Sequence, residues 1–334
     1  MSGYRGHIPT VLPTATLVRS LAILAVLTPA VGCSRPFAEG SSRDLTVVTD
    51  LAADAPEMLL LKAVVERDAI RIDDEKAYRV RFALSSEPAA FRSTNILLVG
   101  CGPESALRGP ARRLSPALQG RDVPFAFRND VWLKGQACGI IWVPTRRELT
   151  GLIAKNQNRI FLELDRATFA AVRSRVRSLP RDHRAEARLR AELGISLRVP
   201  RGYTLRIDPA ARAALLVDEG PPARLLRVRA AAGGNVEPDL VASRTSLARV
   251  FRPHEQTLSL VEPTLVPREM AGAERQLHGR WEDALVSAAG PFRYYQVIRG
   301  SRRYEVDLAV FAPGKPKLPQ LRELQTIAES LGPG

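Results

Sequence analysis

The first 33 residues constrain this chain more than any other segment. Residues 1–20 carry two basic residues, Arg5 and Arg19, and no acidic residue. Seven apolar residues follow at 21–27 (LAILAVL), and small residues precede Cys33. A basic start, a short apolar core and small residues before a cleavage position are typical of a secretory signal. The apolar run is too short to cross a bilayer, which takes about 20 apolar residues. We therefore predict that residues 1–32 direct export and are removed.

The residues just before Cys33 indicate a lipid anchor. Residues 30–33 (AVGC) resemble the lipobox of bacterial lipoproteins, in which the chain is cut before a diacylated cysteine whose new amino group is usually acylated too. The alternative is a plain signal peptide that carries a cysteine by chance. Two or three acyl chains give stable membrane anchoring, whereas one gives only marginal binding. Ser34 follows the cysteine, and a residue other than Asp there favours the outer membrane facing the periplasm. Residues 34–43 are polar and rich in small residues, so we predict that 33–43 form the acylated cysteine and a tether.

The net charge of +14 by itself suggests nucleic-acid binding. Removal of residues 1–32 lowers it to +12, because that segment holds two arginines and no acid. The basic residues are 43 arginines and six lysines spread over every segment, which is typical of a compositional bias rather than a built patch. An exported protein rarely meets nucleic acid, so we expect no nucleic-acid partner and favour anionic lipid or envelope polymers.

Cys101 and Cys138 are the only other cysteines, and both adjoin strand-like apolar runs. Thiols outside the cytoplasm tend to oxidise, and neighbouring strands would allow a bridge. We predict a Cys101–Cys138 disulfide; the alternative is two small buried apolar side chains.

The pattern of apolar residues predicts an α+β fold made of two mixed or antiparallel-sheet units. Residues 44–193 form the first unit, which ends in a long helical region opened by a capping box at 145–148 (TRRE) and broken at Pro180. Residues 194–334 form the second unit, which includes a hairpin around residues 300–301. Both units contain a strand, a proline and then a helix. A pseudo-repeat is one explanation of this shared order, and chance is the other.

A basic stripe lies in the helical segment between the two units. Residues 166–190 hold eight arginines and two acids. Five of the arginines step by three or four residues, which places them on one helix face: Arg173, Arg177, Arg181, Arg184 and Arg188. The functional interpretation is contact with an anionic surface, and the alternative is a solvated polar face.

Several short stretches spread over residues 44–331 form a recognisable set: 92–96 (RSTNI), Trp132, Gln136, 194–195 (GI), 200–203 (PRGY), 279–282 (GRWE), 290–292 (GPF), 312–313 (AP), Lys315, Lys317 and 321–324 (LREL). In their order and spacing they resemble a family of bacterial lipoproteins, known best from Bacteroidetes-type organisms and described only as a domain of unknown function. The resemblance implies a lipoprotein and no particular chemistry.

Catalytic and metal-binding motifs do not stand out in the sequence. The three histidines of the mature chain, His183, His254 and His278, form no HExxH motif, and neither a P-loop nor a G-x-S-x-G elbow is present. We expect no metal and no cofactor. Aromatic residues near arginines suggest a binding groove, and the alternative is an ordinary core. The candidate groove residues are Trp281, Phe292, Tyr294 and Tyr295.

These observations favour a membrane-anchored envelope lipoprotein with a soluble binding or structural body. Its expected partners are membrane lipid, through acylated Cys33, and an envelope protein. The alternative is an envelope hydrolase whose active site is assembled in space from residues far apart in the chain.

Overall fold

The described part of the chain begins at residue 35. A computed structural model describes residues 35–70, 75–114, 125–231, 239–259, 270 and 272–334. The predicted signal segment and Cys33 therefore lie outside the described residues. Phe37–Gly334 belong to one compact unit.

The first half alternates strands with helices. Its elements are β1 (Asp44–Thr49), α1 (Pro56–Val65), β2 (Asp68–Ile70), β3 (Glu75–Lys76), β4 (Arg79–Ala83), a 3-10 helix (Pro88–Arg92), β5 (Asn95–Cys101), α2 (Arg108–Leu114), β6 (Phe125–Asn129), β7 (Ala137–Val143) and α3 (Arg146–Ser178). The main sheet has the order β4-β1-β5-β7-β6, with parallel pairing except between β6 and β7. Helices α1 and α3 pack on one face, whereas α2 and the 3-10 helix cover the other. Because both faces are covered, β5 is a continuous apolar run.

Helix α3 leads from the first sheet towards the second. Thr145 caps its first turn by accepting the backbone N–H of Glu148, as the capping box predicts. Its first part packs on the first sheet, while Val172 and Val176 belong to the core of the second. The helix ends before Pro180, and α4 (His183–Leu193) follows and ends at Gly194, whose positive φ of 64° suits a helix C-cap.

The second half is an antiparallel sheet. Its elements are β8 (Ile195–Ser196), β9 (Thr204–Asp208), β10 (Ala213–Asp218), β11 (Ala223–Ala230), α5 (Leu240–Phe251), β12 (Glu255–Ser259), β13 (Ala273–Asp283), β14 (Ala288–Arg299), β15 (Arg302–Phe311), α6 (Leu318–Ala328) and β16 (Gly332–Pro333). Seven of the strands form one sheet with the order β12-β13-β14-β15-β11-β10-β9. The predicted α+β class is confirmed. The two sheets share the strand–proline–helix junction. They differ in strand order, and the first sheet is mostly parallel whereas the second is antiparallel.

Opposite faces of the second sheet have different chemistry. One face carries the largest apolar cluster, which α4, α6 and the end of α3 cover. The other face lies under α5 and combines aromatic residues with buried charges. Only glycine fits at position 290 in β14, because a Cβ there would lie 1.9 Å from the carbonyl oxygen of Val310.

Candidate functional site

The chain joins the folded body at the amino ends of β5 and β7. Phe37 forms a parallel bridge with Lys134, and Glu39 forms another with Ser93. The carbonyl oxygen of Ser42 accepts hydrogen bonds from Asn95 and from Arg322. The prediction of a tether over 33–43 is therefore wrong for residues 37–43, because their backbone groups pair with the body. Polar, small-residue composition alone does not separate a linker from a segment held by backbone hydrogen bonds.

A tight loop between β6 and β7 lies beside this entry point. The Oδ1 atom of Asp130 accepts the N–H of Gly135 at 2.6 Å, and Asp130 itself has a positive φ of 57°. Gln136 is fully buried and donates to the carbonyl oxygens of Phe91 and Ser93 at 2.8 and 2.9 Å. Its Oε1 atom accepts the N–H of Trp132 at 3.3 Å. The loop is therefore fixed by its own polar side chains.

This loop and the entry segment place apolar and basic side chains side by side. Phe37 is 42% exposed, Phe91 and Trp132 pack edge to face at 5.3 Å, and Leu133 is half-buried while Lys134 is exposed. We call these five residues the entry surface. Arg175 near the end of α3 donates to the carbonyl oxygen of Ala38 at 3.4 Å, and the exposed Arg92 lies 3.7 Å from Glu39.

The predicted arginine stripe is divided by the break between α3 and α4. Arg177 and Arg184 are exposed and lie on different helices. The other three form ion pairs within the chain: Arg173 with Glu329 at 2.5 Å, Arg181 with Glu186 at 2.5 Å, and Arg188 with Glu192 at 3.0 Å. These acids neutralise much of the stripe. Its contact with an anionic surface stays a prediction.

The aromatic residues of the predicted groove are core residues. Trp281, Phe292, Tyr294 and Tyr295 are at most 1% exposed. Three of them share the face under α5, whereas Tyr295 packs in the cluster on the opposite face. The predicted exposed groove is therefore wrong. These side chains are buried because helices cover both faces of the sheet, which aromatic composition alone cannot reveal.

Four charged side chains form a closed ionic network beneath α5. Arg227 of β11 and Arg244 of α5 face Glu255 of β12 and Asp307 of β15, and all four side chains are 0% exposed. Arg227 lies 2.5 Å from Glu255 and also contacts Asp307. Arg244 lies 2.6 Å from Glu255 and 3.1 Å from Asp307. Two positive charges thus meet two negative charges, which offsets the cost of their burial.

A second polar cluster extends this network along the same sheet face. Arg229 pairs with Glu305, and the register places Arg227 opposite Asp307 and Arg229 opposite Glu305. Burial would raise the pKa of Glu305, but hydrogen bonds from Arg229, Ser243 and Tyr294 outweigh it and lower that pKa. Glu305 therefore stays ionised and acts as an acceptor. The arginines and acids of the ionic network come from four different elements, β11, α5, β12 and β15. The sequence therefore carries no local pattern that predicts the network.

Cys101 and Cys138 are both free thiols. Strands β5 and β7 are neighbours, but their register pairs Cys138 with Ile96 and Cys101 with Val143. The five-residue offset separates the cysteines by about 17 Å along the strands, far beyond the roughly 7 Å limit between bridged Cα atoms. The predicted disulfide is therefore wrong. Burial raises the pKa of the Cys138 thiol to about 12, and that thiol donates to Gln136.

A polar cluster that sequence reasoning missed lies at the carboxyl ends of the parallel strands. Asp50 follows β1 and accepts hydrogen bonds from Ser85 at 2.7 Å and from Ser105 at 2.6 Å. The three residues follow three different strands, β1, β4 and β5. Strand β4 lies on one side of β1 and the next strand of the sheet, β5, lies on the other, and the crevice at such a switch in strand order commonly holds ligands in open parallel sheets. Only the strand order, which the sequence does not give, brings these residues together.

The histidines do not converge on one site. His183 begins α4 and lies 3.6 Å from Glu186, His254 is exposed before β12, and His278 of β13 packs against Tyr295. Burial and nearby Arg293 lower the pKa of His278 to about 3. Among the residues described, no cluster of three His, Cys, Asp or Glu side chains could hold a metal ion. Within the same residues, no helix is long and apolar enough to span a membrane.

Comparison with known proteins adds no identification. No family model matches the chain, and no curated protein matches it at a significant level.

Proposed function

We propose that this protein is a membrane-anchored envelope lipoprotein, held by acyl chains on Cys33, whose folded body binds an envelope component rather than catalysing a reaction. The observation that carries the proposal is the position of the lipobox-like residues 30–33 (AVGC) directly before the folded unit. Phe37, the first residue of that unit, already pairs with Lys134. A signal, an acylation position and a body therefore follow one another without an intervening domain.

The chemistry of the body supports binding more than catalysis. The ionic network around Arg227 and Asp307 is sealed from solvent, so a substrate cannot reach it. The strongly shifted histidine of the body, His278, is kept neutral by burial and by Arg293. The hydrolase alternative would need a nucleophile, a base and an acid in one cleft. Our proposal instead assigns the polar crevice around Asp50 and the exposed faces of the body to recognition.

The anchor is tested by the three cysteines, which supply matched controls. Full-length wild-type protein, Cys33→Ala and Cys101→Ala would be produced in a bacterial host with labelled palmitate, and membranes would be washed with high salt and carbonate. We expect label and membrane retention for the wild type and for Cys101→Ala, and loss of both for Cys33→Ala. Label on the Cys33→Ala variant would contradict the proposal.

The class of function is tested by chemical crosslinking in intact envelopes, followed by capture of the lipoprotein. A reproducible partner in wild-type cells supports binding. Hydrolysis of an envelope polymer by the purified protein would favour the alternative.

A further inference from the structure

The point of anchoring and the loop between β6 and β7 coincide in the fold. Phe37, where the chain joins the body, bridges to Lys134 in the loop between β6 and β7. The side chain of Phe37 also covers Gly135, where a Cβ would lie 3.3 Å from the Phe37 ring. The anchor end and the loop therefore belong to one surface. On the basis of the proposed lipid anchor, we infer that the entry surface lies on the bilayer, with Trp132 and Leu133 among the lipid headgroups.

Chain length limits how far this surface can be from the membrane. Three residues lie between Cys33 and Phe37, so the four Cα–Cα steps of the link span at most about 14 Å even when fully extended. A compact unit of this length has a radius of gyration of about 19 Å. The link is therefore short relative to the body, and the face around Phe37 is the one held against the headgroups.

The chemistry of the entry surface matches a membrane interface. In residues 131–134 (VWLK), Val131 and Trp132 are partly buried against the core of the first sheet, Leu133 is half-buried and Lys134 is exposed. Tryptophan is enriched at membrane interfaces because its ring is apolar and its N–H is polar. Cations close to the surface are attracted by anionic headgroups, and Lys134, Arg92 and Arg175 supply them.

The acids near the entry surface are already engaged. Glu39 lies 3.7 Å from Arg92. The carboxylate of Asp130 accepts the N–H groups of Gly135 and Gln136. Arg92 thus balances Glu39, and the exposed Lys134 is the cation that the entry surface itself presents to a headgroup. Because Gln136 fixes the loop by hydrogen bonds on both sides, the loop needs no ordering when it meets the bilayer.

The location of Trp132 can be measured with lipids that quench its fluorescence. Full-length lipoprotein would be reconstituted into phosphatidylethanolamine–phosphatidylglycerol vesicles with or without bromine atoms on the upper part of the acyl chains. The variants are Trp132→Phe and, as the matched control, Trp142→Phe; Trp142 lies near the carboxyl end of β7, away from the loop. Circular dichroism checks that each variant is folded.

We expect brominated vesicles to quench wild-type and Trp142→Phe protein, and Trp132→Phe to lose more than half of that quenching. Equal quenching in all three proteins, or none in vesicles that carry the protein, would overturn the inference while leaving the anchor intact. If brominated vesicles cause no quenching and position 133 crosslinks to an envelope protein, the surface belongs to a protein partner. That result would overturn the inference too. Wild-type protein that fails to float with vesicles would overturn the anchor itself, and this inference with it.

Discussion

At the scale of single residues, the stability of the folded body depends on buried charges that are paired with opposite charges. Arg227 and Arg244 share Glu255 and Asp307, and none of the four side chains meets solvent. Arg244 also stacks on Phe292 at 4.2 Å, so the network joins the aromatic core of the same face. Removing one partner from such a group leaves an uncompensated charge in a low-dielectric environment, which is costly.

The substitution Glu255→Gln tests this network. It keeps the shape of the side chain but leaves two arginines facing one carboxylate, so we expect a loss of about 3–5 kcal/mol in the free energy of unfolding. Urea denaturation measures the loss. The matched control is Glu219→Gln, because Glu219 pairs with Arg206 at 3.1 Å on the surface, and we expect a change of less than about 1 kcal/mol there. Equal effects of the two variants would contradict the assigned role.

His278 predicts a pH dependence of stability. Its pKa is lowered to about 3 in the folded protein, against about 6.5 in the unfolded chain. Between these values the unfolded chain binds the proton, so stability is full above about pH 6.5 and falls as the pH decreases towards 3. Between pH 7 and pH 5, we expect the wild type to lose about 1–2 kcal/mol more than His278→Gln. Parallel pH profiles of the two proteins, measured by urea denaturation, would contradict this.

At the scale of elements, the break between α3 and α4 is held by one acid. Glu186 is buried and accepts hydrogen bonds from Arg181 and from the backbone N–H of Val199. Burial would raise the pKa of Glu186, but the hydrogen bonds from Arg181 and from the Val199 N–H, together with the nearby positive charge, outweigh this and lower it. The acid thus joins the start of α4 to the strand segment that opens the second half.

The variant Arg181→Gln tests this junction. Glu186 would keep the N–H of Val199 but lose its cation, so we expect a lower free energy of unfolding, measured by urea denaturation. Arg184→Gln is the control, because Arg184 is an exposed member of the same stripe. If both variants lost the same stability, Arg181 would be a surface cation like its neighbour.

Local patterns predicted the capping box at 145–148, the long helical region and the hairpin around 300–301, but not which elements are neighbours in space. The capping residues Thr145 and Gly194 and the hairpin at Gly300 lie where local chemistry places them, because caps and turns depend on a few adjacent residues. Strands β6 and β13 were not predicted. The disulfide and the groove were wrong because both depend on register and on which helices cover a sheet. Pairing between distant segments leaves little trace in one sequence.

At the scale of the whole molecule, α6 joins the two halves. Arg322 is fully buried, lies 2.7 Å from Asp165 of α3, and donates to the carbonyl oxygen of Ser42. Glu75 of β3 accepts the backbone N–H groups of Lys317 and Leu318 at the start of α6. These contacts are buried and link residues more than 150 positions apart. The two sheets should therefore unfold together.

Single-tryptophan proteins test this cooperativity. Trp132→Phe/Trp281→Phe keeps Trp142 in the first sheet, and Trp132→Phe/Trp142→Phe keeps Trp281 in the second. We expect each fluorescence transition in urea to coincide with the circular-dichroism transition of the same protein, as in a two-state unit. A fluorescence midpoint well separated from the circular-dichroism midpoint would show two independent domains.

The central claim is that Cys33 carries the acyl chains that hold this body to a membrane. Mass spectrometry of the amino-terminal peptide from protein extracted from envelopes tests it most directly. We predict a chain that begins at Cys33, with a diacylglyceryl group on its sulfur and, in the fully processed form, an acyl group on its amine. A chain that begins at another residue, or an unmodified Cys33, would contradict the account.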